Sequence, residues 1–425
     1  MLVRLLSRMP ALKELTLKKK GVAMHYLGID VSKASHQCVI LDAEGEALGK
    51  SFAIQSSKDD FANLVKKLSD LNIPQTDITA GLEATGNLWE NLYVYLKERG
   101  FNIILLNPFQ TNKFHQAMLK KAKTDSIDAL VIAGLLRSGC AASSYIPDEE
   151  IQSLRDLIRL KDGYLKDTKN YKRKAYSLLN LVFPEFLNLI KDPFNISCTE
   201  ILSKYQTATD FKKLKPKDLL KVARGHQGNN YDEAWADKVI QAAKDSIYSG
   251  KASKARGIVV KSLVLNIKNL KEQITELDNE IQNILKTDDD SSNSDIDNLL
   301  TIPGVGPKTI AVFIAEVGDI TRFASCKDFI GFVGLYPKIE QSGSSLNRAK
   351  LTTKGSRLLK HALYMASVAS LIHNPYLKSV YNDKISQGKC AKQALIVVSR
   401  KIACIMYSML KNNTAYNPGR VAIAV

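Results

Sequence analysis

Short apolar runs and helical apolar spacing alternate over the first third of the chain. Four runs have the length of strands and three longer segments have helical spacing: 26–31, 36–41, 78–83 and 102–106, then 61–71, 88–98 and 125–136. Runs of about four to eight apolar residues are typical of strands, and apolar residues every three or four positions are typical of helices. The alternation predicts a mixed α/β domain built on a sheet, which we place at residues 24–146.

The pattern changes near residue 147, where long helical periodicity replaces the alternation. Apolar residues over 157–182 approximate a heptad seam that a Phe-Pro pair ends, and an irregular, basic stretch follows over 184–250. A strict repeat with steps of three and four then appears: Val260, Leu263, Ile267, Leu270, Ile274, Leu277, Ile281 and Ile284. Such an a/d repeat predicts a coiled coil, with a second copy of the chain or with the helix over 150–182. A long helix packed on its own core is the alternative.

The remaining segments complete the domain prediction. We assign 147–290 to the helical, coiled-coil region, and the polar stretch 288–294 indicates a boundary. The sequence predicts a mostly helical domain over residues 291–417 and an unstructured tail over 418–425. Residues 1–23 are basic and weakly amphipathic, without the long apolar core of a secretory signal. We expect either a disordered extension or a start codon upstream of the true one at Met24.

Charge and cysteine usage narrow the class of protein. Lys and Arg number 60 against 43 Asp and Glu, giving a net charge of +17. This excess favours a polyanionic partner, nucleic acid, over a merely solvated basic surface. The six cysteines include no CxxC pair, so neither a zinc site nor a disulfide framework is indicated, which fits a reducing cytoplasm. No uninterrupted run of about 18 apolar residues indicates a membrane span.

Four acidic residues are the first candidates for chemistry. Asp30 and Glu83 each end an apolar strand-like run, and Asp125 and Asp128 begin an apolar helix three residues apart. A ribonuclease-H-like fold distributes its acids in this way, and unpaired buried carboxylates are costly. Hard carboxylate oxygens suit Mg²⁺ or Mn²⁺, so the four residues predict a site for divalent ions. The alternative, a helix cap and a turn, explains only one acid at a time.

Two segments in the last third that contain glycine are candidates for contacts with nucleic acid. Residues 302–308 resemble the hairpin of a helix-hairpin-helix motif, in which Gly304, Gly306 and Lys308 would contact a phosphate. An ordinary tight turn between helices is the alternative. Residues 341–348 form a basic Ser/Gly stretch, and its composition predicts a solvated loop rather than a nucleophile. We add its basic residues and those that follow to the candidate nucleic-acid contacts: Arg348, Lys354 and Arg357.

Together these motifs resemble the DEDD-type transposases of the insertion-sequence 110 family. The resemblance spans roughly residues 24–375, in family order: GIDVSK at 28–33, EATG at 83–86, KTDSIDA at 123–129, IPGVG at 302–306, GLYP at 334–337, SG at 342–343 and KGSR at 354–357. It implies a RuvC-like N-terminal domain, a coiled-coil middle and a C-terminal transposase domain. Asp30, Glu83, Asp125 and Asp128 match the family's metal-binding tetrad.

The resemblance also implies a reaction. Ser342 matches the family's nucleophile, which attacks DNA to give a 5′-phosphoserine link before strand exchange. Family members often carry Ser-Ser-Gly where this chain has Gln341-Ser342-Gly343, so Ser344 and Ser345 remain neighbouring candidates. Further implied partners are a guide non-coding RNA from the element and a second copy of the chain, in a dimer or tetramer. The competing hypotheses are a metal-dependent nuclease or junction resolvase and a non-catalytic nucleic-acid-binding protein.

Overall fold

The described residues between 24 and 146 are built on a five-stranded mixed sheet. The computed structural model describes residues 24–33, 35–84, 86–118, 125–223, 231–286, 290–342 and 346–421, and the chain divides into two compact units, 1–146 and 147–425. The strands of the first unit are β1 His25–Asp30, β2 His36–Leu41, β3 Phe52–Ile54, β4 Ile78–Glu83 and β5 Asn102–Leu106. Their order is β3-β2-β1-β4-β5. β1, β2 and β3 pair antiparallel, whereas β4 and β5 run parallel to β1. The mixed α/β prediction is confirmed.

Helices cover both faces of this sheet. They are α1 Lys58–Ser69, α2 Glu90–Glu98, α3 Pro108–Ala117 and α4 Asp125–Arg137. α1 begins at Ser57, whose side chain accepts a hydrogen bond from the Asp60 amide, and it buries Phe61, Leu64 and Leu68 against one face. α4 packs on the other face, across β1, β2 and β4. The sequence pattern missed β3 and α3.

Two long helices dominate the start of the second unit. α5, Glu149–Val182, begins at Asp148, whose side chain accepts from the Ile151 amide, and ends before Pro184. A series of short helices follows where the sequence reads as irregular: α6 Pro184–Leu189, α7 Ile196–Lys204, α8 Ala208–Phe211, α9 Pro216–Ala223 and α10 Glu233–Lys244. Their buried aromatic residues, among them Phe186 and Phe211, pack in one core.

The strict heptad repeat lies on α11, Ser253–Ile284. α11 packs along α5 of the same chain, and its buried seam residues are Val260, Leu263, Ile267 and Ile281. Leu270, Ile274 and Leu277 in the middle of the repeat are only half-buried. The structure therefore gives the repeat a partner within the chain, and pairing between copies stays a prediction.

The rest of the second unit is mostly helical. Its elements are α12 Asp290–Leu300, α13 Pro307–Val317, α14 Cys326–Val333, β6 Pro337–Ser342, β7 Leu346–Leu351, α15 Arg357–His373, α16 Pro375–Ser386, α17 Ala391–Asn412 and α18 Pro418–Val421. By length and composition α17 is apolar enough to cross a membrane, and half of its most apolar window is buried in the unit. Ala394, Val398, Ile402 and Met406 on it are fully buried, as expected of a core helix.

Three sequence predictions for this region are corrected. Residues 341–342 and 346–348, predicted as parts of a solvated loop, belong to the antiparallel strands β6 and β7, in which Glu340 is opposite Arg348. The polar composition of this stretch hid the strands because it lacks an apolar alternation. The stretch predicted as a polar linker enters α12 at Asp290, and residues 287–289 lie outside the described part. The predicted tail begins with the short helix α18.

Candidate active site and nucleic-acid interface

Asp30 and Glu83 end two adjacent parallel strands. In the register of β1 and β4, Gly28 is opposite Gly81 and Ile29 is opposite Leu82, so the two acids occupy equivalent positions at one edge of the sheet. Side chains alternate between the faces of a strand. Leu27 and Ile29 lie in the core with α1 and α2, so Asp30 and Gly28 belong to the opposite face, which α4 covers. The same alternation puts Glu83 and Gly81 on the α4 face.

Close packing of α4 on the sheet depends on these two glycines. A Cβ atom on Gly28 would lie 2.1 Å from the Ala129 carbonyl oxygen and 2.5 Å from the Ala133 amide nitrogen. A Cβ on Gly81 would lie 2.8 Å from the Leu136 Cδ1. Real side chains do not tolerate such distances to backbone, so only glycine lets the helix approach β1 this closely.

The direction of α4 brings its acidic start towards the acidic strand ends. Its last residue, Arg137, donates to the Glu44 carbonyl at 3.0 Å, in the turn that follows β2. That turn lies at the end of the sheet where β1 begins, because Leu41 of β2 pairs with Tyr26. α4 therefore runs antiparallel to β1, and its first turn, with Asp125 and Asp128, lies towards the edge that carries Asp30.

The metal tetrad itself stays a prediction. Asp128 is half-buried, whereas the side chain of Asp125 lies outside the described residues. Among the side chains that the structure does describe, no group of three or more His, Cys, Asp or Glu is close enough to hold a metal ion. The donor chemistry fits, because Asp30, Glu83 and Asp128 offer only the hard oxygens that Mg²⁺ and Mn²⁺ prefer.

A threonine that the sequence analysis missed orients Glu83. Thr111 on α3 is 4% exposed, and its hydroxyl donates to Glu83 Oε2 at 2.6 Å. Since Glu83 is paired in register with Leu106, the helix that follows β5 begins beside it. Asn107 caps that helix by accepting from the Phe109 amide at 2.9 Å, and Pro108 occupies its first turn. The Asn-Pro pair was the available signal for this helix.

Ser342 is the last residue of β6 and pairs with Leu346 of β7. Its side chain is not among those described, and the neighbouring candidates Ser344 and Ser345 also lie outside the described residues, as does Gly343. The position of the strand is therefore fixed, whereas the choice of nucleophile stays a prediction.

The GLYP segment at 334–337 and the KGSR segment at 354–357 are in close contact where β6 begins and β7 ends. Gly334 and Gly355 have φ values of +78° and +84°, and a Cβ on Gly334 would lie 2.1 Å from the Lys354 carbonyl oxygen. Lys360 Nζ donates to the Thr352 and Lys354 carbonyls at 3.2 and 2.8 Å. Burial lowers the pKa of Lys360. Lys360 thus holds the segment that follows β7 in place. The sequence analysis did not predict this role.

The hairpin over 302–308 combines a packed glycine with an open one. A Cβ on Gly304, at φ +92°, would lie 2.5 Å from the Ser370 Cα of α15, and the Ser370 hydroxyl donates to the Pro303 carbonyl at 3.2 Å. Nothing described lies within 4 Å of a Cβ on Gly306, which precedes α13. Packing against α15 is thus enough to require glycine at 304, whereas Gly306 leaves space for a ligand.

Two of the predicted nucleic-acid contacts line one cavity of the second unit. It measures about 680 Å³, and Lys308 at the start of α13 and Arg357 at the start of α15 both border it. Lys354 precedes α15 on an exposed turn, and the side chain of Arg348 lies outside the described residues. The sequence analysis missed the lysines of α5 that share this cavity, because they lie about 140 residues from Lys308.

Known protein families match both the region with the acidic strand ends and the region with the 302–308 hairpin. Residues 27–184 match a transposase family model of the DEDD IS110 type, and residues 296–382 match the family described as transposase IS116/IS110/IS902. A protein of insertion element IS116 from Streptomyces clavuligerus is 24% identical over 92% of this chain and 96% of its own length. An IS110 protein from Streptomyces coelicolor is 25% identical over 70% and 72%.

Two further similarities are more limited. The pilin gene-inverting protein of Moraxella bovis is 30% identical over 36% of this chain and 48% of its own length. Among solved structures, Thermus thermophilus RuvC in complex with a Holliday junction substrate gives a TM-score of 0.22 at 18% identity, covering 28% of this chain and 99% of that one. A TM-score this low adds nothing to the assignment.

The two matched regions contain the features described above. The first includes the acidic edge of the sheet and α4, and the second includes the 302–308 hairpin, Ser342 and the start of α15. The chain therefore belongs to the IS116/IS110/IS902 family and is a transposase, an enzyme of DNA recombination.

Proposed function

We propose that this transposase cleaves and rejoins DNA strands for the mobility of an insertion element, with Asp30, Glu83, Asp125 and Asp128 as ligands of Mg²⁺ or Mn²⁺. The observation that supports this most is the shared register of β1 and β4, which ends both strands in an acid on the α4 face. Bound there, two divalent ions would stabilise negative charge on both the attacking and the leaving oxygen of a phosphodiester. The Thr111 hydroxyl would hold Glu83 in its orientation.

Ser342 is our candidate nucleophile. Its Oγ attacks the phosphorus, the Oγ–P bond forms, and the bond from phosphorus to the 3′-oxygen breaks. The serine proton is lost to solvent and the departing 3′-oxygen takes up a proton, which leaves a 3′-hydroxyl and a 5′-phosphoserine. Attack of another strand's 3′-hydroxyl reverses these steps and releases Ser342. The phosphoserine link keeps the number of ester bonds constant, so strand exchange needs no external energy source.

Binding of nucleic acid is the second part of the proposal. Gly304, Gly306 and Lys308 would contact a phosphate as in a helix-hairpin-helix motif, with Arg348, Lys354 and Arg357 adding charge. A guide non-coding RNA from the element would select the DNA by base pairing. Most of the +17 net charge would then contact the phosphate backbones of nucleic acid. The reaction would take place in the cytoplasm. A coiled-coil dimer or tetramer would use the half-buried seam residues Leu270, Ile274 and Leu277.

A covalent adduct tests the serine step. We would mix the protein, RNA transcribed from the element and end-labelled DNA in Mg²⁺, and separate the products on denaturing gels with and without protease. The native protein is expected to give a protease-sensitive adduct, and Ser342→Ala is expected to give none. Ser344→Ala and Ser345→Ala are the matched controls and should retain it.

Other outcomes of this experiment separate the rival functions. Free 3′-hydroxyl and 5′-phosphate ends without an adduct, with Ser342→Ala still active, would establish a metal-dependent nuclease or resolvase instead. No cleavage by the native protein, together with unchanged activity of Asp30→Ala and Asp125→Ala in cells, would argue for a non-catalytic nucleic-acid-binding protein. Omission of the RNA tests guidance: unchanged cleavage of the same site without it would contradict that part of the proposal.

A further inference from the structure

The cavity that Lys308 and Arg357 border gathers basic residues from three distant parts of the chain. Lys161, Lys166 and Lys169 come from α5, Lys308 from the start of α13, and Arg357 and His361 from the first turns of α15. Its volume of about 680 Å³ falls in the range typical of sites for small organic groups, about 300–1,000 Å³. The first turns of two helices also add the partial positive charge of their amide groups.

The charges of the lining leave an excess of cations. Asp278 forms an ion pair with Lys161 and lies 3.5 Å from Lys308 Nζ, and Asp162 pairs with Lys166. These are the two carboxylates of the lining, against five lysine and arginine side chains. Among the described side chains, Lys169 and Arg357 have no ion-pair partner, and the side chain of Lys308 is 81% exposed. An anionic group is therefore the complementary occupant.

The lining also has an apolar part. Leu165 of α5 and Met365 of α15 are each 50% exposed at this cavity, although side chains of their type are usually more deeply buried. An inorganic anion would need no such surface. A nucleotide combines both requirements, because it joins a charged phosphate to a base with apolar faces. In a duplex the bases are stacked on their neighbours, so only an unpaired nucleotide can place the face of its base against a protein surface.

We propose that this cavity binds an unpaired nucleotide of a DNA or RNA strand. Lys166, Lys169, Lys308 and Arg357 contact the flanking phosphates, and the base lies against Leu165 and Met365. The inference rests on the proposed function, since it presumes that the chain binds nucleic acid. It adds α5 to the binding surface and restricts the ligand to single-stranded segments.

Charge reversal on α5 tests the phosphate contacts. Lys166→Glu/Lys169→Glu changes two exposed residues, and since only the surface ion pair of Lys166 with Asp162 is lost, the thermal midpoint should fall only slightly. Lys238→Glu/Lys244→Glu on α10 changes the net charge equally and is away from the cavity. With a labelled single strand in a fluorescence-anisotropy titration, we expect the cavity variant to bind at least about tenfold more weakly than the α10 variant. The slope of log Kd against log salt should fall by about 1.4, or about 0.7 for each lysine on a single strand.

Neutral changes test the base contact. Leu165→Ser/Met365→Ser is expected to weaken single-strand binding several-fold and to leave binding of a blunt duplex unchanged, with DNA and RNA strands of one sequence identifying the preferred source. An equal loss of affinity for single strand and duplex would contradict the proposal that the bound nucleotide is unpaired. Equal affinities of the cavity and α10 variants would overturn the site and leave the proposed function intact. Failure of the unaltered protein to bind any nucleic acid would instead overturn the proposed function.

Discussion

The two units position their candidate functional residues in opposite ways. In the first unit Asp30 and Glu83 end buried strands, and α4 contacts β1 through backbone atoms at Gly28. In the second unit Lys308 and Arg357 lie on exposed helix starts, and Ser342 ends a hairpin strand. Close backbone contacts therefore position the acids of the first unit, whereas Lys308 and Arg357 of the second unit lie at the border of an open cavity.

This difference predicts how each unit responds to substitution. Close backbone packing transmits a small change in volume directly to the acids, because interiors are packed too tightly to absorb it. Exposed lysines can be changed without loss of the fold, since surface substitutions usually alter stability by less than about 0.5 kcal/mol. Substitutions at Gly28 or Gly81 should therefore lower stability and catalysis together, whereas substitutions at the exposed cavity lysines of the second unit should lower binding alone.

The largest expected effect is that of Gly28→Ala. One methyl group would overlap the Ala129 carbonyl oxygen, at 2.1 Å, so α4 must move away from β1. We expect the free energy of unfolding to fall by about 3 kcal/mol, the upper end of the usual cost of overpacking. DNA cleavage should fall with it. Urea unfolding followed by circular dichroism measures the first effect, and hydrogen exchange in β1 and α4 localises it.

A glycine without close neighbours provides the control for Gly28→Ala. Nothing described lies within 4 Å of a Cβ on Gly163, in the middle of α5. Gly163→Ala should therefore stabilise the helix by up to about 1 kcal/mol. If Gly28→Ala were as stable and active as Gly163→Ala, α4 would not be held by backbone contact and the contrast between the units would disappear.

The sequence predicted the sheet better than the parts that surround it. β2, β4 and β5 begin and end at the predicted residues because buried strands read as continuous apolar runs between polar turns. β3 has only three residues, too few to form a pattern. The hairpin of β6 and β7 lacks apolar alternation altogether, and its strands depend on pairing between Pro337 and Leu351 at one end and Ser342 and Leu346 at the other.

Some features of the candidate sites could likewise be predicted from local sequence, whereas others could not. Strand ends locate Asp30 and Glu83 from local pattern, so their common edge could be predicted, and the helix start locates Asp128 on α4. The Thr111 hydrogen bond and the contact of Gly28 with Ala129 depend on how distant segments pack. The cavity needs α5, α13 and α15 together, and no local pattern relates Lys169 to Arg357.

A smaller effect is expected where the second unit also contains a buried charge. Glu316 at the end of α13 has a side chain 6% exposed and accepts from Arg159 Nε at 2.9 Å and Nη2 at 3.3 Å. Arg159→Met leaves this carboxylate buried without its partner, which should cost about 2 kcal/mol. Glu316→Gln should cost less, because the Arg159 side chain is 56% exposed and water can solvate it.

The test is which of these two variants has the lower thermal stability. Thermal unfolding of both, beside Arg173→Met as a control on the exposed surface of α5, should rank Arg159→Met as the least stable. Because Gln keeps the shape of Glu and removes only its charge, a more harmful Glu316→Gln would mean that groups other than Arg159 also stabilise the buried carboxylate. The Arg159–Glu316 ion pair would then not be the main link between α5 and α13.

The smallest effect concerns the hydroxyl that orients Glu83. Thr111→Val keeps the shape of a buried side chain but removes the donor 2.6 Å from Glu83 Oε2, and such outer partners typically change metal affinity by about tenfold or more. We expect Mn²⁺ affinity, measured by calorimetry on the otherwise unaltered chain, to fall about tenfold with the unfolding midpoint nearly unchanged. Thr111→Ser retains a hydroxyl and should bind Mn²⁺ nearly as well as the native protein. Equal Mn²⁺ affinity of the Val and Ser variants would mean that the acids of the first unit are held by strand and helix backbone alone, which is the strictest form of the contrast with the second unit.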